Sequence, residues 1–406
     1  MNETVKTSVL LLLLSLFVQP AQAFVSWSDE HRSLELRGFL HGSALLLRNP
    51  DAPVYYHKRT VSGLAGSGRL MVDGQVHALS VELHLVQSYT PLALQNGGSN
   101  LATLQGVERS DLLDWSFDGR AAHLLIDRLN IQYSSNRLNL KLGRQPVNLA
   151  STFYFTPNDF FAPFAAQTFF RSYKAGVDAL RADMQLTAIS QLSLIAVLGY
   201  STDTGGDSGW SNRVDSARNA YLARLSSYFG DFELALLAGS VKKDLIIGGD
   251  LQGELFEWLG VRGEGHINIP DQVGLKRRVE FSIGLEHRWE SGFTLRAEQF
   301  YHGGGAASSA TYSPAAVQGV YMGRNYSAIG ASYEFTPLLN GDVTMIRNWM
   351  DDSMLMAVYL LYSLSDESEL AFSAAVVNGR RPQAARIQSE FGLSPNSVSL
   401  ELRSYF

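Results

Sequence analysis

The chain has no cysteine among its 406 residues, which excludes a disulfide scaffold, a thiolate zinc site and a dithiol redox centre. It is also poor in positive charge. Lys and Arg number 33 against 39 Asp and Glu, a formal net charge of −6, and no basic stretch is available to neutralise phosphates, so nucleic acid is excluded as a partner. There is no apolar run of the ~20 residues that a membrane-crossing helix needs. Enzyme signatures are missing too: no Gly-x-Ser-x-Gly elbow, no His-Glu-x-x-His pair and no phosphate-binding Gly-Lys-Ser/Thr loop. The nine histidines leave room only for a hydrolase assembled from separate strands. No cofactor and no metal is expected. The stretch Asp203-Thr204-Gly205-Gly206-Asp207-Ser208-Gly209 has oxygen ligands suited to Ca²⁺, but reads first as a solvated loop.

What is present begins with an address. Lys6, the apolar run from Val9 to Val18 and the small residues of Ala21-Gln22-Ala23 have the order of an export signal, with cleavage expected after Ala23. Residues 24–406 then form one domain. Its dominant pattern is strict alternation. Between Arg278 and Trp289, Val279, Phe281, Ile283, Leu285, His287 and Trp289 fall on one face, and Arg278, Glu280, Ser282, Gly284, Glu286 and Arg288 on the other. This is a strand with one apolar and one charged face. Leu370, Phe372, Ala374 and Val376 alternate in the same way with Glu369, Ala371, Ser373 and Ala375. Each such segment has about the nine to eleven residues of a tilted membrane strand. A soluble sandwich would alternate too, so the strands alone do not decide.

The connections decide more. Counting along the chain, the even-numbered ones are short and turn-like: residues 73–74, 134–136, 187–191, 230–231, 251–253, 291–292, 337–341 and 365–368. The odd-numbered ones include every long segment, at 48–62, 88–121, 145–175, 201–216, 268–275, 304–320 and 379–396. Loops sorted by parity belong to an outer-membrane barrel, whose short turns lie on one side and long loops on the other. We expect an all-β, antiparallel, up-and-down transmembrane β-barrel of about 18 strands. Sixteen is the alternative, should the weak segment at 243–250 merge with the next. The residues before the first strand, Phe24 to Arg32, are too few for the plug of an energised transporter. The chain ends on Val398, Leu400, Leu402, Ser404 and Phe406 on one face. A terminal Phe is the ending typical of bacterial outer-membrane proteins, and Phe406 is the expected assembly signal.

The third long connection is the most distinctive. Gly143-Arg144-Gln145-Pro146-Val147-Asn148 leads into Phe153-Tyr154-Phe155-Thr156-Pro157-Asn158-Asp159-Phe160-Phe161-Ala162-Pro163-Phe164, followed by Gly176-Val177-Asp178-Ala179-Leu180-Arg181. This resembles porin-like bacterial outer-membrane β-barrel proteins, in which a Gly-Arg-Gln strand end enters an aromatic, Pro-rich loop. The resemblance implies a third loop folded into the barrel to narrow it, with Asp159, Arg171 and Lys174 as constriction charges and Phe155, Phe160 and Phe161 as the wedge. An external cap is the other way to bury so apolar a loop.

Charges at inward positions call for a wet lumen: Arg37, Glu82, Arg128, Lys141, Arg181, Asp183, Arg278, Glu280, Glu286, Arg288, Arg296 and Glu298, with Glu35, Arg262, Glu264, Glu401 and Arg403 beside them. A plug whose charges pair with one another is the alternative, and the mixed signs favour neither cations nor anions. Trp115, Trp210, Trp258, Trp289 and Trp349 suit interfacial girdles. The expected function is passive diffusion of small polar solutes across a Gram-negative outer membrane. The alternatives are a plugged structural or surface-binding barrel, such as an adhesin or receptor, and a barrel hydrolase. The expected partners are outer-membrane lipid, the barrel assembly machinery and the solute, and porins commonly form a homotrimer.

Overall fold

Backbone polar groups in lipid must be satisfied within the protein, and a sheet does this only by closing on itself. The computed structural model, which describes residues 25–91, 94, 107–117, 121–203, 205–206, 208–313 and 321–406, is such a closed sheet. Eighteen antiparallel strands follow one another as a meander. They are β1 (Arg32–Arg48), β2 (Thr60–Val76), β3 (Leu79–Tyr89), β4 (Ala122–Ser134), β5 (Leu138–Gln145), β6 (Val177–Gln185), β7 (Ser190–Val197), β8 (Ala220–Phe229) and β9 (Phe232–Val241), then β10 (Asp244–Leu255), β11 (Leu259–Ile269), β12 (Arg278–Arg288), β13 (Thr294–His302), β14 (Asn325–Thr336), β15 (Leu339–Asn348), β16 (Met354–Ser365), β17 (Ser368–Asn378) and β18 (Asn396–Tyr405). The last strand pairs with the first from Phe39↔Tyr405 to Arg48↔Asn396, which closes the barrel.

The two faces of each strand are inside-out relative to a soluble sheet. On β12, Ile283 is 54% exposed on the outer surface while its neighbour Ser282 is fully buried inside. Leu34, Leu70, Leu142, Ile247, Phe281 and Leu400 are likewise exposed outward. An apolar band on the outside of a closed barrel is a surface for lipid. Below it runs an aromatic belt, with His287 4.1 Å from Trp289, Trp289 5.2 Å from Phe293 and Tyr333 5.0 Å from Phe335. At the other rim the Trp349 indole N–H donates to Ser327 Oγ at 2.8 Å. Trp210 is not in a girdle: it begins the loop strand Trp210–Val214, and the Arg218 guanidinium lies 4.7 Å from its ring.

Turns on the side of the chain termini span no more than five residues, and every long connection lies on the opposite side. Two turns are displaced from the sequence-based expectation. Asp73 and Gly74 lie within β2, which continues to Val76, and residues 251–253 lie within β10, which continues to Leu255. In both places turn-forming residues are carried in an extended strand by partners on both sides. The hairpin β10–β11 is regular over eleven pairs, from Leu245↔Ile269 to Leu255↔Leu259, so the barrel has eighteen strands rather than sixteen. β1 and β2 have 17 residues each and outrun the expected nine to eleven. The residues before β1 are partly ordered into the sheet: Val25–Ser28 pairs with Ser33–Leu36, in the lane that β18 leaves empty beyond Phe406. The expected signal segment, residues 1–23, lies outside the described residues.

Candidate functional site: the third loop and the lumen

Residues 146–176, between β5 and β6, leave the wall at a glycine. Gly143 has φ +120°, and a Cβ there would meet the Leu129 carbonyl oxygen at 2.3 Å. Only glycine turns the strand end in this space. Arg144, next in the chain, donates through Nε to Asp178 at 2.9 Å and through Nη1 to Asp114 at 3.2 Å, while the Gln145 amide donates to the Ala179 carbonyl at 3.0 Å. The loop's departure exposes the upper edge of β4. The short strand Asp114–Phe117 of the second loop covers that edge by pairing with Ala122–Leu125. Arg109, from the same loop, bonds Asp114 and also Asp127, which in turn accepts from Arg69 at 2.9 Å. Arg69, Arg109, Arg144 and Asp127 are all buried. Their charges are tolerable there because each has an opposite partner.

The loop then crosses the inside of the barrel. Its aromatic side chains need burial, and at this level the inner wall is apolar. Val177, Ile195, Leu222, Leu237 and Ile246 receive Val147, Leu149, Phe160 and Phe161. Further round, Phe155 stacks on Phe300 with ring centres 5.0 Å apart, Phe169 stacks on Tyr359 at 5.0 Å, and Phe170 lies 5.6 Å from Phe39. Arg262 and Arg296 bracket the Phe153 ring, each 4.4 Å from its centre. Two wall carboxylates hold the backbone. Glu298 accepts the N–H groups of Phe153, Tyr154 and Phe155 at 2.5, 2.9 and 3.0 Å. Glu264 accepts those of Ser151, Thr152 and Asn158, the last two at 3.0 and 2.9 Å.

The three charges expected at a constriction are used within the loop instead. Lys174 donates to Asp159, and both are buried. Burial pushes the Asp159 carboxyl up and the Lys174 ammonium down, and each partner's charge offsets part of that. Arg171 donates to the carbonyls of Phe153, Thr168 and Ala166, the latter two at 2.7 and 3.0 Å. It staples the loop to itself through these carbonyls, with the Glu298 carboxylate near enough to favour its charge. Phe155 and the pair Phe160 and Phe161 pack on separate parts of the wall.

On the short-turn side of the loop is a cavity of about 470 Å³, lined by Glu35, Arg37, Asp73, Glu82 and Arg128, with Tyr173 of the loop at its edge. Other lumen candidates pair along and between strands. Arg37 meets Asp73 at 2.5 Å, Lys141 meets Glu82 at 2.9 Å, Arg181 meets Asp183 at 2.9 Å, Arg278 meets Asp244 at 3.2 Å and His302 meets Glu280 at 3.2 Å. Arg296 pairs with Glu286, and Arg288 is exposed at the lower end of β12. Among the described residues no cluster of three or more His, Asp or Glu side chains is placed to hold a metal. Of the candidate Ca²⁺ loop, Thr204 and Asp207 lie outside the described residues, and Asp203 spends Oδ1 on the Gly205 N–H.

No family model and no curated protein matches the sequence. Solved structures do match. OccAB4 of Acinetobacter baumannii is similar over 93% of this chain and 98% of that one, at 10% identity and a TM-score of 0.59. A BenF-like porin of Pseudomonas fluorescens Pf-5 is similar over 92% and 98%, at 13% identity and a TM-score of 0.59. OccD3 (OpdP) of Pseudomonas aeruginosa is similar over 96% and 95%, at 11% identity and a TM-score of 0.57. What is shared at this identity is the fold, that of a porin-like outer-membrane β-barrel.

Proposed function

We propose that the protein is a channel of the bacterial outer membrane that passes small polar solutes by passive diffusion, with residues 146–176 setting its narrowest level. The observation that carries this reading is the placement of the loop across the inside of the wall, fixed by Glu264 and Glu298, above a cavity lined by charged side chains. A lumen wall of paired charges lets water and polar solutes pass without presenting one dominant sign. Export, cleavage after Ala23, insertion through recognition of Phe406 and assembly as a homotrimer belong to the same reading.

One observation favours a second reading, a plugged barrel presenting its outer loops. The loop touches widely separated wall strands, Glu264 of β11 and Glu298 of β13 on one part and Phe39 of β1 on another. Refolded protein in a planar bilayer separates the two. A channel gives discrete conductance steps that grow when residues 152–170 are deleted. Silence from both proteins overturns the channel reading. An esterase and protease screen of the same preparation tests for hydrolysis.

A further inference from the structure

On the long-loop side, above β14 and β15, lies a second set of buried polar groups, which adjoins the third loop where Tyr326 packs on Phe155 with ring centres 6.0 Å apart and Tyr321 accepts the Ala166 N–H at 3.1 Å. Asn348, at the end of β15, has its Nδ2 2.8 Å from Glu390, 2.9 Å from Tyr312 and 3.2 Å from Asp351, which share its two protons. Tyr326 of β14 donates its hydroxyl proton to Glu390 and accepts from the Gly323 N–H. Asp351 also accepts the N–H groups of Glu390 at 2.8 Å and of Ser353 at 2.7 Å. Phe391 N–H reaches Ser353 Oγ at 3.2 Å. Glu390, Asp351, Asn348, Tyr326 and Ser353 are all buried. These bonds join three separate connections: residues 303–324, 349–353 and 379–395.

We propose that Glu390, facing Asp351, is a proton-operated latch, which holds these three loops together while Glu390 is protonated and loosens when it ionises. The reason is the missing cation. Around the two carboxylates, residues 303–324 contribute Tyr312, Tyr321, Gly323 and the Met322 backbone N–H, which bonds Glu390, β14 contributes Tyr326, β15 contributes Asn348, residues 349–353 contribute Asp351 and Ser353, and residues 379–395 contribute Ser389 and Glu390. Among the described residues, none of these elements brings a Lys, Arg or His within ion-pair distance of either carboxylate. Arg347 is engaged with Asp352 at 2.8 Å, and Arg324 with the Gly305 carbonyl at 3.3 Å.

The Glu390 and Asp351 oxygens share one amide nitrogen, so they are no farther apart than their two bonds to it allow. A carboxylate this close to another, with no counter-ion, keeps its proton to higher pH. Burial, with the Asp351 charge adding to it, pushes Glu390 up to about 7. Loss of that proton leaves two negative charges facing each other in a dry site. Strain is relieved by lifting Ser389 to Gly392 away from Asp351 and Ser353. The latch acts on the loops whether or not the lumen conducts.

Arg380 and Arg386 are exposed in the same connection as Glu390, which makes trypsin a reporter of its release. The rate of cleavage there is measured on the refolded full-length barrel at about pH 6 and about pH 8.5, and divided by the rate for Glu390→Gln at the same pH, which cancels the protease's own pH dependence. The ratio is expected to rise about tenfold, the effect of one pKa unit of coupling. Asp351→Asn, which removes the facing charge, is expected to flatten the wild-type rise. A flat wild-type ratio overturns the proposal, as does a wild-type rise that persists in Asp351→Asn. If Glu390→Gln is itself open at both pH values, the comparison of wild type with Asp351→Asn decides alone.

Discussion

The carboxylate of Glu298 accepts the backbone N–H of Tyr154 at 2.9 Å, although 144 residues separate the two in the chain. Two further N–H groups, of Phe153 and Phe155, end on the same carboxylate. Glu298→Ala leaves these donors without an acceptor in a buried site, where each unmade bond costs about 1–3 kcal/mol. We expect the variant to lose about 3 kcal/mol of stability in denaturant titration, and its third loop to become sensitive to protease. Glu298→Gln, which keeps one oxygen, is expected to lose about half as much. Equal loss in the two variants would show that side-chain volume, not the carboxylate, holds the loop.

Arg144 is held by Asp178 and Asp114 at the point where the third loop leaves the wall. A lysine keeps the charge but cannot donate in the fixed fork of a guanidinium. Arg144→Lys is therefore expected to destabilise the barrel by about 3 kcal/mol, the low end of the range for breaking a buried ion pair. The shift of the unfolded band on an unheated electrophoresis gel measures it.

The seam between first and last strands is closed by Gly38 and Phe406, whose backbones exchange N–H to carbonyl bonds of 2.6 and 3.0 Å. The Phe406 ring lies over Gly38, and a Cβ at that glycine would overlap ring carbon Cε2 at 1.8 Å. Gly38→Ala should expel the ring and raise the rate of barrel unfolding. Phe406→Ala should spare the glycine yet slow assembly in cells, measured as unfolded protein accumulating before membrane insertion. Normal assembly of Phe406→Ala would remove this residue as the assembly signal.

Acid should loosen the second loop. Glu108 is half-buried, which by itself would raise its pKa, but its bonds to Arg218 at 2.6 Å and Lys242 at 2.7 Å win and hold it below the ordinary carboxylate value. A carboxylate with a lowered folded pKa stabilises the folded state above its unfolded value, and that contribution is lost as pH falls through the folded value. Amide exchange around Val107 to Ser110 is therefore expected to accelerate below about pH 4, and Glu108→Gln to remove that acceleration.

The wall of this protein was legible in its residues, and the interior was not. The alternation around Ile283 and the sorting of loops by length both follow from local rules, because neighbouring residues in a strand face opposite ways and tight turns need particular residues. The rules failed where a local signal met a tertiary one. Asp73-Gly74 looks like a turn, yet the pairing of β2 with β1 and β3 carries it through as strand. Leu237 and Ile246 point inward, against the polar-inside pattern, because the third loop packs on them. Glu264 and Glu298 read as lumen charges like any others, and nothing near them in sequence marks them as acceptors for a loop more than 100 residues away. Asp127 did leave a trace. It interrupts the alternation of β4 where the pairing with β3 shifts register between His84 and Leu85.

The sequence by itself determined that this chain closes into an antiparallel barrel with short turns on one side and long loops on the other. Each of those properties is set within a dozen neighbouring residues by period, turn chemistry and the lack of any alternative way to satisfy the backbone in lipid. Only the tertiary structure decided where the third loop's charges go. Asp159, Lys174 and Arg171 could have faced a pore; instead they are neutralised or bonded inside the loop. A buried charge takes the nearest partner that removes it from an apolar site, and which partner is nearest depends on the folded path of the loop.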